Sequence, residues 1–113
     1  MSEERFEQLA VDALSSIPAA LRDLLDNVAL FVDDDPPPGG PVLLGLYEGV
    51  PLTRRDSSYA GVLPDRIFIF RNPILAICDT EADVVEQVRI TLVHEVAHHF
   101  GIDDDSLHAW GYA

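Results

Sequence analysis

A chain of 113 residues has material for one domain, residues 1–113, with one modest core. Its net charge is −13, with seven arginines and no lysine, a surface that repels nucleic acid and anionic membranes and favours cations. Cys78 is the only cysteine, no apolar run approaches the roughly 20 residues of a membrane span, and the charged start MSEERFEQLA is unlike a signal peptide, so the expected compartment is the cytoplasm.

Residues 3 to 25 carry Phe6, Leu9, Ala10, Ala13, Leu14 and Ile17 at helical spacing. Pro18 interrupts them, which predicts one kinked helix or two short ones. Residues 28 to 32, VALFV, suit a short buried strand. The run DDDPPPGGP, residues 33 to 41, is incompatible with helix or central strand and reads as a solvated loop. Residues 42 to 47 form a second strand candidate. Residues 49 to 61 make a long polar connection containing Arg54, Arg55 and Tyr59, of the length that suits a binding loop. RIFIF, residues 66 to 70, is the third strand candidate.

Asn72-Pro73 has the pattern of a helix start, with Asn as N-cap and Pro first, and predicts a short helix through Cys78. Cys78 itself reads as a small buried apolar residue. Thr80 opens T-E-A-D, a capping-box pattern, and predicts a helix over 81–100 that Gly101 ends. Asp105 or Ser106 can cap a last short helix through Trp110. Without regular alternation of strand and helix, the natural class is α+β.

The chemistry concentrates in HEVAHHFGIDDD, residues 94 to 105. At about 100° per residue, His98 sits about 40° from His94 and one turn on, so two imidazoles can converge on one ion. Glu95 lies at about 100°, too far round to be a third ligand beside both, but within reach of a water on the ion, the place of a general base. Val85, Val88, Leu92 and Val96 fall about 120° to 200° from His94 and form the core stripe. Asp83, Gln87 and Ile90 share the histidines' face. A third ligand must come from beyond the helix. Gly101 permits the turn, and Asp104 completes H-E-x-x-H-x-x-G-x-x-D. Two imidazoles, one carboxylate and an open fourth position make a normal catalytic set for one zinc ion. With four His and seven Glu in the chain, the full pattern arises by chance at odds below about one in ten thousand.

The neighbours read differently. His99, about 140° from His94, faces away from the ion and reads as structural. Asp103 and Asp105 can replace Asp104 but suit capping or solvent. His108 suits packing, and can also orient a ligand. Tyr59, Tyr112, Arg54 and Arg66 are possible oxyanion partners that the sequence does not separate.

These residues resemble the zincin metallopeptidases. HEVAHHFGIDD is similar to the metzincin motif with Asp104 in place of its third histidine, but no methionine follows it to form that group's Met-turn. LLGLYEGVPLTRR (43 to 55), YAGVLPDRIFIFRNPIL (59 to 75) and VHEVAHHFGI (93 to 102) together resemble a small bacterial zincin-like family of minimal metallopeptidases. The resemblance implies a cytosolic, compact α+β zincin core, zinc at His94, His98 and Asp104, and Glu95 as base. The expected activity is hydrolysis of a peptide or protein substrate, with the substrate laid along a sheet edge for which RIFIF is the candidate. The other reading is a zinc-binding protein of the same fold without proteolysis, serving as a structural or partner-binding module.

Overall fold

The computed structural model describes residues 1–49, 64–102 and Asp105. The N-terminal apolar periodicity resolves into two helices. In α1 (Glu3–Ser15), the Ser2 hydroxyl accepts the Arg5 N–H at 3.1 Å, and Glu3 and Glu4 oppose the helix dipole in the first turn. Its buried stripe is Phe6, Leu9, Ala10 and Ala13. Pro18 separates it from α2 (Ala19–Leu24), at whose N-cap it stands, while Ile17 and Leu21 hold the junction in the core. The chain therefore takes the second of the two expected forms.

Three strands follow: β1 (Val28–Asp33), β2 (Gly45–Glu48) and β3 (Asp65–Phe70). Their order is β1-β3-β2, with β1 parallel and β2 antiparallel to β3. RIFIF is therefore the central strand, hydrogen-bonded on both sides. It cannot accept a substrate strand, and the expectation that it forms the edge is corrected. Among the described residues the edges are β1 and β2. β2 is also shorter than expected, since residues 42–44 precede its ladder.

Residues 71–76 form α3 (Arg71–Ala76) directly after β3, so the expected cap is displaced: Phe70 is the N-cap and Asn72 lies inside the first turn. The cause is tertiary. The Asn72 side chain donates to both carboxylate oxygens of Asp35 at 3.2 and 3.1 Å, and its backbone N–H donates to the Asp34 carbonyl at 2.9 Å. Arg71 Nε donates to the Asp34 carboxylate at 3.0 Å. The acidic proline loop is tied to α3 rather than merely solvated.

α4 (Glu81–Phe100) is the longest element and has its predicted limits. Thr80 and Asp83 form a reciprocal capping box, and Gly101 closes the helix at φ 68°, a left-handed conformation that costs glycine little. The sheet lies against α4 through β2 and β3, while α1 packs along it. Ile67 and Ile69 project from β3 into this layer, where Val84, Val88, Leu92, Val93 and Val96 of α4 are buried. Cys78 is half-buried against the core, and burial pushes its thiol above the ordinary cysteine range, as suits an unreactive packing residue.

Two contacts fix how α4 sits. Gly45 of β2 faces Thr91 so closely that a Cβ there would stand 2.7 Å from the Thr91 methyl and 2.9 Å from the Phe68 carbonyl oxygen. Arg5 joins the first turns of α1 and α4 through two 2.8 Å bonds to the Glu81 carboxylate. The hydrogen bond from Arg5 holds the Glu81 carboxyl below its usual range, against a smaller opposing effect of burial.

Gly45→Ala is expected to lower stability by about 1–3 kcal/mol, the scale of overpacking against backbone that cannot yield. Gly40→Ala, whose Cβ would meet only the Pro37 carbonyl at 3.9 Å, should leave the urea midpoint unchanged. For the Arg5–Glu81 pair, a depressed folded-state pKa stabilises above the unfolded carboxylate value of about 4.3, and this is lost as pH falls through the lower folded value. Both side chains are exposed, so the effect is small. The midpoint difference between the wild type and Arg5→Gln should be positive at neutral pH, shrink in about 1 M salt, and vanish below the carboxylate range.

Candidate metal centre

α4 serves both core and surface. Counting round it at about 100° per residue, the buried residues Val84, Thr91, Val88, Leu92, Val96, Val93 and Ala97 occupy an arc of about 240°. His94 and His98 are exposed in the remaining strip. Gln87 and Ile90 share that strip nearer the N-terminus and are partly buried beneath the neighbouring chain. Val85, expected in the core stripe, lies within the arc but is only half-buried, near the N-terminal end of the helix. Thr91 enters the buried arc because its hydroxyl donates back to the Gln87 carbonyl at 2.8 Å and needs no other partner.

Glu95 falls about 40° inside the arc, in the last turns of the helix, and is half-buried. Burial pushes its carboxyl above the usual range, while His98 and then His94 pull it back. The three side chains thus form an electrostatically linked group of two exposed imidazoles and one partly desolvated carboxylate. A cleft of about 230 Å³ lies beside it. Its floor is His94, Glu95, Ile90 and Thr91 of α4, and its opposite wall is the segment 42–45 that leads into β2.

The donor chemistry of this group fits zinc. Two imidazoles one helical turn apart on an open strip can reach the same ion, and the adjacent carboxylate is placed at its flank. Among the described residues no group of three His, Cys, Asp or Glu converges on a common point. Asp104, expected as the third ligand, lies outside the described residues, as do Asp103, His108 and the last short helix beyond Asp105. Asp105 itself is exposed.

His99 occupies the place expected from its angle. Its ring stacks on Tyr47 of β2 at 3.9 Å between centroids, and Phe100 meets both rings edge-on. The Tyr47 hydroxyl donates to Asp65 at 2.8 Å, and His99 Nε2 is 3.8 Å from the same carboxylate oxygen. A Cβ on Gly49 would stand 2.8 Å from the His99 ring. This cluster clamps the last turn of α4 onto β2 beside His98. Sequence reasoning did not find it, although G-L-Y-E-G, residues 45 to 49, places glycine, tyrosine and glycine at period two on one strand face, a signal of close approach.

Arg66 is withdrawn as an oxyanion partner. It pairs with Glu48 and lies over the Phe68 ring, 5.6 Å from its centroid, on the sheet face turned away from α4. Arg54, Tyr59 and Tyr112 lie outside the described residues.

The family model described as zincin-like metallopeptidase matches residues 25–112. Among solved structures, a conserved hypothetical protein from Thermus thermophilus is similar, with 26% identity, a TM-score of 0.58, and coverage of 96% of this chain and 98% of that one. No curated protein matches. A match over most of the chain, together with an H-E-x-x-H helix whose histidines face outward beside a half-buried glutamate, identifies the chain as a member of the zincin-like metallopeptidase family.

Proposed function

We propose that this protein is a zinc-dependent peptidase, with His94, His98 and Asp104 holding one ion and Glu95 acting as the general base. The observation that carries the reading is the environment of Glu95. A carboxylate that served only solubility would stand free in water, whereas this one is half-buried at the floor of a cleft, next to two outward histidines. Its raised proton affinity, in the metal-free chain, suits a group that must take up and return a proton.

Zinc bound there supplies a Lewis acid that lowers the pKa of a water molecule. With the ion held by His94, His98 and Asp104, Glu95 would serve as the base that accepts a proton from an attacking water and passes it to the departing amine nitrogen. β2, at the edge of the described sheet and packed on α4, takes over the substrate-aligning role first expected of RIFIF. An extended peptide beside segment 42–45 passes His94 and Glu95 across the cleft. The wall offered by Val42, Leu43, Leu44 and Ile90 favours apolar side chains next to the scissile bond.

The packing of α4 also favours catalysis over a purely structural ion. Its fold is carried by the buried arc and two capped ends, and both histidines lie outside that arc. A chain whose fold depended on zinc would unfold when stripped.

Glu95→Gln is expected to bind zinc as the wild type does while losing about 10²–10⁴-fold in metal-dependent cleavage of a peptide library. Equal cleavage by the mutant would exclude this mechanism. Metal analysis should find about one zinc per wild-type chain and a marked deficit in His98→Ala. Chelation should abolish cleavage with only a modest fall in melting temperature. Loss of the folded state on chelation would instead support the structural reading.

A further inference from the structure

A second recess lies on the sheet face turned away from α4. Strand alternation sends Ile67 and Ile69 into the core and places Phe68 and Phe70 of β3, Leu46 of β2 and Phe31 of β1 on this other face. The aromatic rings form a row: Phe31 and Phe68 stack at 5.5 Å, and Phe68 and Phe70 at 6.5 Å with 7° between planes. Over the Phe70 end the chain folds a wall of Pro36, Pro37 and Pro38, enclosing a recess of about 300 Å³.

The wall is built to stay in place. Each proline fixes its own φ, and the loop is tied to α3 by the Asp34–Arg71 and Asp35–Asn72 bonds. A recess with an aromatic floor and a pre-formed wall loses little entropy when filled. Its rim carries carboxylates only: Asp33, Asp35 and Glu48. Glu48 pairs with Arg66, whereas Asp35 accepts, among the described residues, only from a neutral amide. Asp33 has no side-chain partner among the described residues.

We propose that this recess docks an arginine side chain of a partner polypeptide. The planar guanidinium would lie against Phe68, which is partly exposed, toward the Asp33 end, its N–H groups donating to Asp33 and Asp35. The residues flanking that arginine would rest on the proline wall. The molecule already shows this mode of recognition once, at the Glu48 end, where the Arg66 guanidinium lies over Phe68 and pairs with a carboxylate. Charge selects the occupant further, because a chain of net charge −13 attracts a basic segment and repels an acidic one. Arginine suits the site better than lysine or a hard metal ion, since a delocalised planar cation can stack on rings and donate in a fork at once.

The test is amide chemical-shift mapping of the full chain in EDTA, titrated with acetyl-Leu-Arg-Leu-amide and with the same peptide bearing citrulline in place of arginine. EDTA makes the readout independent of the metal site. The expected result is saturable shifts confined to residues 33–35, 46–48 and 66–70 with the arginine peptide, and weaker binding of the neutral one. Asp33→Asn should weaken the arginine peptide by about three- to fivefold, the scale of one exposed charge pair, whereas Asp12→Asn, which removes the same charge from α1, should not. Shifts centred on His94 and Glu95, equal response to both peptides, equal loss in both variants, or peptide-independent shifts that grow with protein concentration would each overturn the proposal.

Discussion

The close seating of α4 on β2 is the constraint on which the rest depends. At Gly45 the approach leaves no room for even a Cβ, and at Gly49 the His99 ring fills the space a side chain would need. Between them Tyr47 stacks under His99 and is anchored to Asp65. With the helix held this closely, its rotation about its own axis is set. The rotation in turn decides which residues are solvent-facing. A small turn of the helix would bury His94 or lift Glu95 out of its half-buried position, and the electrostatic link between the carboxylate and the two imidazoles would be lost.

The economy of a short chain follows from the same packing. α4 buries about two thirds of its circumference against α1, β2 and β3, and the remaining strip carries the candidate metal ligands. No separate scaffold is required to present them. The helix ends are secured locally by the Thr80–Asp83 box and by Gly101, so His94 and His98 stand on an element with its own capped ends. The cleft beside His94 and the environment of Glu95 fall on the same part of the helix.

The two faces of the sheet do different work. The inner face is aliphatic, through Ile67 and Ile69, and supports α4. The outer face is aromatic and ends in the proline wall, which makes DDDPPPGGP part of a built surface rather than slack connection. Its acids divide by position: Asp34 ties the loop to α3, Asp35 ties it to α3 while standing at the rim of the recess, and Asp33 stands at the rim only.

What the sequence determined by itself is what local chemistry controls. The limits of α4 were legible to the residue because a capping box and a left-handed glycine act through hydrogen bonds spanning only a few positions. The division of its faces was legible because helical rotation is fixed at about 100° per residue, which also separated His99 from His94 and His98. The order of the strands, the displacement of the Asn72 cap by Asp35 and the placing of Arg66 on the far face were decided only by tertiary structure. Each depends on a partner far along the chain, and periodicity carries no information about distant partners. RIFIF shows the difference most clearly. Its composition marks a strand, but whether a strand is edge or centre is a property of its neighbours, and β1 and β2 both pair with it.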